Sequence, residues 1–270
     1  MILPRGVALL GYTIAGKQRR IALESLTIAF GQEKPRAQIK QIAKDCFVSI
    51  AKSGVEILYL LGKPELFKKY IVLSGQEYLE TALAKKKGVV LVSAHFGNFP
   101  LLLGKLSIEG YKITTIMRPM KDKKTEGFFR GKRNKLNIQT IYSQPRNVCV
   151  ENTLRMLRQN GMVFIPMDQN FGSAGVFVDF FGTKAATATG PVVLARRTGA
   201  AIIPCFIVRQ QDNSHKVIFE PELALEEGKT PEEAVFVNTQ KLTGIIESYI
   251  RRYPAQWSWI HRRWKSKPSG

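Results

Sequence analysis

Cysteine, acid and long apolar runs are what this chain has little of. Its three cysteines, Cys46, Cys149 and Cys205, are widely spaced and never paired as Cys-x-x-Cys. No disulfide framework or zinc site follows, and a reducing compartment fits best. Cys205, just after Pro204 in an apolar run, reads as a small buried hydrophobe. The longest N-terminal apolar stretch, Val7 to Ala15, falls short of the roughly 20 residues that a spanning helix needs, and it lacks a signal-peptide cleavage site. Acids number 21 against 41 Lys+Arg, a net charge of +20. Such an excess calls for an anionic partner: nucleic acid, an acidic protein or a phospholipid surface. With 44% hydrophobic residues, 22 Gly and 13 Pro, the composition is otherwise that of an ordinary globular chain, able to bury one sizeable core.

What is present divides into two parts. Residues 1–64 read as an N-terminal amphipathic helical segment. Pro35 stands at a helix start, and Ile39, Ile42, Ala43, Cys46, Phe47, Ile50, Ala51, Ile57, Leu58 and Leu61 follow at helical spacing, closed by Gly62 and Pro64. Ahead of it, Lys17, Arg19 and Arg20 adjoin Ile21, Leu23, Leu26, Ile28 and Phe30, a basic amphipathic pattern that suits either a membrane surface or a core. Residues 65–270 alternate strands and helices. Strands are expected near 70–73, 89–93, 112–117, 138–142, 162–166, 201–208 and 215–220, and helices near 76–86, 99–109, 123–136, 148–159, 188–198 and 231–251. The alternation predicts an α/β fold, a mixed, largely parallel sheet flanked by helices.

Two loops carry chemistry. The run Val89 to Ser93, rich in β-branched side chains, reads as a strand buried on both faces, and Ala94-His95-Phe96-Gly97-Asn98 leads from it into a helix. His95 therefore belongs at the carboxyl end of a central strand, where open α/β sheets place their ligands. Phe164-Ile165-Pro166-Met167-Asp168-Gln169-Asn170-Phe171-Gly172 repeats the arrangement, so Asp168 should emerge at the same sheet edge. A carboxylate and amides there suit acceptor binding or orientation of the histidine. Basic residues cluster between Arg118 and Arg146, and again at the end, where Arg262, Arg263 and Lys265 lie among Trp257, Trp259 and Trp264. Tryptophan beside Arg and Lys is what a water–lipid boundary selects. Stacking on nucleic acid would use the same chemistry, but no nucleic-acid module is recognisable and no nucleic-acid partner is expected.

Four blocks in order, His95-Phe96-Gly97-Asn98, Arg118-Pro119, Asp168 to Gly172 with Val176 to Gly182, and Gln256 to Lys265, resemble the late acyltransferases of bacterial lipid A biosynthesis, within the lysophospholipid acyltransferase superfamily. The likeness covers roughly Leu3 to Lys265. It implies transfer of a fatty acyl group from acyl carrier protein to a hydroxyl of an anionic, phosphorylated glucosamine lipid, with no metal or further cofactor. It also implies peripheral work at the cytoplasmic face of the inner membrane, with that membrane surface as a partner. His95 matches the motif histidine, which takes the acceptor's proton, and Asp168 the acid of the third block. Arg118 matches the second-block arginine, a phosphate or transition-state ligand. Asn98, Gln169, Asn170, Arg262 and Arg263 are assigned to substrate binding. Phe171, Val176, Phe177, Phe180 and Phe181 are candidate walls of an acyl groove, although a core would use the same residues.

One position departs from the pattern. The family places an acid, usually Glu, five residues after the histidine, and Pro100 stands there. As backbone it is harmless in the first turn of a helix capped by Asn98. As chemistry it removes the carboxylate that would support His95. Either Asp168 or another acid replaces it, or the chain is a weak or inactive lipid-binding relative; a third possibility is hydrolysis, with water as the acceptor.

Overall fold

The computed structural model describes residues 5–60 and 63–268. The chain opens with α1 (Arg5–Ile14), α2 (Gly16–Phe30), α3 (Arg36–Leu60) and α4 (Pro64–Tyr70). Then follow β1 (Ile71–Ser74), α5 (Gln76–Ala84), β2 (Val89–Ser93), α6 (Phe99–Ile108), β3 (Ile113–Met117), α7 (Lys123–Lys135) and β4 (Gln139–Tyr142). The second half comprises α8 (Arg146–Arg158), β5 (Met162–Pro166), β6 (Val176–Phe180), β7 (Thr183–Thr187), α9 (Gly190–Thr198), β8 (Ala201–Arg209), β9 (His215–Phe219) and α10 (Pro231–Arg252). Gly62, expected to close the first segment, lies outside the described residues. Pro64 opens α4 rather than ending α3, since a proline costs a helix nothing in its first turn.

Seven strands form one sheet in the order β1-β9-β8-β2-β5-β3-β4. Neighbours are parallel except β8 and β9, which run antiparallel, so the sheet is mixed and largely parallel as the alternation implied. Its centre, β2, is buried at every position, as its unbroken β-branched run required. One apolar layer lies between the sheet and α5 and α6, built from Leu79, Leu101, Leu102, Leu106, Leu91 and Phe164. The other joins Val90, Val92, Ile202 and Phe206 to Leu26 and Phe30 of α2, Ile39 and Cys46 of α3, Ile246 and Tyr249 of α10, and all three tryptophans. The N-terminal helices thus share a core with the sheet. Of the two uses open to the basic pattern of α2, packing is the one realised for Ile21, Leu26 and Phe30, while Lys17 and Arg20 stay at the surface.

Two expectations change. The tryptophan–arginine tail is not a lipid boundary belt: Trp257, Trp259 and Trp264 are all buried. Trp259 Nε1 donates to Pro254 O at 2.7 Å, and its ring packs on Phe30 and Phe181. The stretch from Val176, lacking a strand in the sequence reading, forms the β6–β7 hairpin against α10. Its two-residue turn puts Phe181 at φ 54° and Gly182 at φ 68°, the signs of a type I′ turn. A phenylalanine seldom adopts this region. Here its ring is seated between Phe30 and Phe180, at centroid distances of 5.1 and 4.9 Å, which offsets the backbone cost. The core role of the tail gives a direct test. Trp259→Ala should lower unfolding stability in urea by about 3–5 kcal/mol, the usual cost of deleting a buried aromatic, whereas a peripheral belt residue would change it little.

Candidate active site

The parallel pairing of β2 with β5 sets Val92 opposite Ile165 and Ser93 opposite Pro166. His95 and Asp168 each stand two residues beyond that last pair, so they emerge side by side at the carboxyl edge. His95 Nδ1 lies 2.8 Å from Asp168 Oδ1. The second carboxylate oxygen accepts from the His95 backbone N–H at 2.9 Å and from Trp257 Nε1 at 2.7 Å. Behind them, His261 Nε2 donates to the Asp168 carbonyl at 3.3 Å. The Asp168 side chain is fully buried, while that of His95 is 28% exposed. One group is enclosed, the other reaches the surface.

With the carboxylate accepting at Nδ1, the imidazole carries its proton there and presents the Nε2 lone pair outward. The Gln169 amide donates to that Nε2 at 3.2 Å, so it marks the place where an acceptor hydroxyl would bond. Burial opposes a charged His95, but the charge and hydrogen bond of Asp168 outweigh it and raise the imidazole pKa. Burial also opposes an ionised Asp168; its partners His95, His261 and Trp257 nevertheless hold it far below the usual carboxylate range. The His261 pKa is lowered, mainly by burial and also by the nearness of His95. The arrangement is a histidine–carboxylate pair whose buried carboxylate is ionised at neutral pH. A carboxylate thus contacts the imidazole although Pro100 stands where the family has its acid.

The turn from β2 to α6 is held on several sides. Gly97, at φ +56°, passes so close to Ile207 O that a Cβ could not be accommodated. Gly97 N donates to Gln256 O at 2.8 Å, and Ser258 N to His95 O at 3.1 Å. Pro100 falls in the first turn of α6 as expected. Asn98 stands at the cap position, but its side chain makes no capping bond, and it is buried rather than open to a substrate. Its Nδ2 donates instead to Glu56 Oε2 of α3 at 2.9 Å. Glu56 is the residue that the sequence reading missed, because an acid inside an amphipathic helix carries no signal of what it meets in three dimensions.

The remaining candidates divide. Arg118 is exposed directly after β3, at the same edge as His95 and separated from it by β5, roughly 10 Å at ordinary strand spacing. Asn170 is joined to Ser266, through Nδ2 to Oγ at 3.1 Å and through the backbone N–H back to Oδ1 at 3.2 Å, and so fastens the tail. Arg262 is exposed. Arg263 is only 1% exposed. It donates to Ala186 O at 2.6 Å and to Thr187 Oγ1, and lies over the Phe180 ring, with burial pulling its pKa down to about 10. This arginine is spent on the β7 backbone and is not available to substrate. Phe180 and Phe181 are core residues against the tryptophans, not walls of an open groove. Phe171 is half-exposed beyond the Asp168 loop, and Val176 and Phe177 are partly buried on the hairpin.

A histidine–carboxylate pair on the carboxyl edge of an α/β sheet is chemistry suited to enzymes that activate a hydroxyl or a water. Comparison with known proteins narrows it. Residues 3–266 match the family model for the bacterial lipid A biosynthesis acyltransferase, and the chain belongs to that family. It is an acyltransferase. It is 29% identical to the lipid A biosynthesis palmitoleoyltransferase of Escherichia coli (strain K12), across 94% of this chain and 81% of that protein. It is 24% identical to the lipid A biosynthesis lauroyltransferase of the same organism, across 98% of this chain and 85% of that protein. A phosphatidylinositol mannoside acyltransferase of Mycobacterium tuberculosis (strain CDC 1551 / Oshkosh) is 27% identical over 72% of this chain and 60% of that protein.

The ionisation of the pair has a measurable consequence. Because the folded pKa of His95 is raised, its contribution to stability is complete below the unfolded value of about 6.5 and is lost as pH rises through the folded value. The contribution of Asp168, whose pKa is depressed, is present above about 3.9 and is lost as pH falls through its folded value. Asp168→Asn should therefore destabilise most between those limits. The same variant should move the His95 imidazole titration, followed by NMR, below its wild-type value, because burial then acts unopposed. An unmoved titration would show that Asp168 does not set the state of His95.

Proposed function

We propose that the protein transfers a fatty acyl group from acyl carrier protein to a hydroxyl of a phosphorylated glucosamine lipid, a lipid A precursor, with His95 as general base. The observation that carries this reading is the exposed His95 Nε2 backed by buried Asp168 in a chain of this family. The acceptor hydroxyl replaces the Gln169 amide at Nε2 and gives up its proton as its oxygen attacks the thioester carbonyl carbon. The tetrahedral oxyanion then collapses, the C–S bond breaks, and the departing thiolate recovers the proton from His95. Asp168 keeps its own charge throughout and stabilises the imidazolium. Arg118, exposed at the same edge, is suited to a phosphate of the acceptor or to the developing oxyanion.

Among the described residues no helix is long and apolar enough to cross a membrane. Attachment to the inner membrane in this reading is peripheral, through surface cations such as Arg262, Lys265 and Lys267 at the tail, all exposed. Likeness to the mannoside acyltransferase favours one further acceptor class, a phosphorylated inositol glycolipid.

Radiolabelled acyl carrier protein incubated with either lipid class tests the reading. We expect transfer to the lipid A precursor. His95→Ala should reduce kcat by about 10²–10⁴-fold, the usual share of a general base, without loss of fold. Asp168→Asn should cost a comparable factor and add little once His95 is gone, since the two act as one unit. Undiminished transfer by His95→Ala would end the general-base assignment, and transfer only to the inositol lipid would reassign the acceptor. The membrane reading has its own check. Replacing Arg262, Lys265 and Lys267 by Gln should weaken binding to anionic vesicles by about 1 kcal/mol per charge, less as salt rises.

A further inference from the structure

A second group of buried ionisable side chains lies on the far side of the catalytic turn. Glu56 of α3 forms an ion pair with Arg209 at the end of β8 and accepts from His215 Nε2 of β9 at 3.1 Å. Arg209 Nη2 donates to Ser53 Oγ at 3.0 Å, and the Arg209 backbone exchanges hydrogen bonds of 2.8 and 3.0 Å with the Gln256 side chain. Burial, helped by Arg209, pushes His215 down to about 3, so it is a neutral donor beside a charged pair. The other cation close by, Lys52, is directed to Asn213 Oδ1 at 2.8 Å. The third partner of Glu56 is Asn98, whose Nδ2 reaches Oε2 at 2.9 Å and Ser53 O at 3.2 Å.

An ion pair that only joined α3 to β8 would need Glu56 and Arg209 alone. Here one carboxylate oxygen also holds Asn98, at a cost to both the helix and the residue. Asn98 gives up the capping bond that its position at the start of α6 invites, and its Oδ1 is left buried without a partner. That sacrifice falls three residues after His95, in the same turn whose backbone Gln256 and Ser258 hold from the other side. It also falls two residues before Pro100, where a first-turn carboxylate is missing.

We propose that Glu56 is a positioning residue for acyl transfer: from α3 it grips Asn98, and through Asn98 it fixes the turn that aims His95 at Asp168. The proposal rests on the reading of His95 as the base. It assigns the loss of a carboxylate at Pro100 two separate remedies, Asp168 for the charge on the imidazole and Glu56 for the geometry of the turn.

The test uses Asn98→Ser, Glu56→Gln and the double variant, in the full chain. Asn98→Ser leaves the Glu56–Arg209 pair intact, which keeps the measurement usable if Glu56→Gln strands the buried guanidinium and unfolds. NMR titration of the imidazoles, with His95 assigned by its absence in His95→Ala, reads the aim of the ring without any substrate. The titratable groups that face His95 among the described residues are Asp168 and His261, so a loosened turn weakens the Asp168 contact and the His95 pKa should fall. In the acyl-transfer assay kcat should drop about 10–100-fold with KM unchanged, the scale of a small misplacement of a reacting group. The double variant should be no worse than the poorer single one. A His95 titration equal to wild type in Asn98→Ser and in folded Glu56→Gln overturns the proposal, even if kcat falls, because a merely structural pair would lower activity only through the folded fraction. Absence of acyl transfer by the wild type would instead sink the proposed function and leave the titration to decide the role of Glu56.

Discussion

The carboxylate of Asp168 is the constraint on which the rest of the site depends. A fully buried anion is costly unless its oxygens are hydrogen-bonded and a compensating charge can lie beside it. Asp168 meets that demand by accepting from the His95 ring, the His95 backbone and the Trp257 indole. Those donors come from two distant parts of the chain, the turn after β2 and the C-terminal tail. The anion thereby fixes β2, the loop after β5 and the C-terminal tail against one another, and chooses the imidazole tautomer in doing so. Support of the fold and preparation of the base are one set of hydrogen bonds.

The tail follows from this requirement. Trp257 must bring an N–H to Asp168 inside the core, which draws Trp259 and Trp264 in with it, against Phe30, Phe180 and Phe181. Arg263 then donates to the Ala186 carbonyl and the Thr187 hydroxyl of β7, and its guanidinium lies on the Phe180 face. Motif residues that look alike in the chain therefore do different work. Arg262 and Lys265 remain at the surface, while Arg263 between them is interior. Both basic clusters are mixed in the same way: in the one around Arg118 and α7 most cations are exposed while Arg133 is drawn in to pair with Glu126, and in the tail Arg263 is interior.

Local chemistry made much of the architecture legible. The β-branched run at Val89, the capping positions and the glycine-marked links located the strands and helices of the seven-stranded sheet, and parallel-sheet topology put His95 and Asp168 on one edge. The hairpin of β6 and β7 was not legible, because its turn relies on Phe181 at a positive φ that only tertiary packing sustains. The tryptophans were misread for a related reason. Trp beside Arg has the same composition at a lipid boundary and around a buried anion, and the sequence does not say which anion is there.

By itself the sequence determined the fold class and the strand ends on which His95 and Asp168 sit, since these depend on periodicity, propensity and residue type over short spans. The structure decided what depends on register and long-range encounter. That β2 lies beside β5 with Ser93 opposite Pro166 brings two residues 73 positions apart to 2.8 Å. That α3 crosses the start of α6 gives Asn98 to Glu56, 42 positions away, instead of to its own helix. Neither meeting leaves a local trace, because a hydrogen bond between distant residues constrains each only through the fold that brings them together.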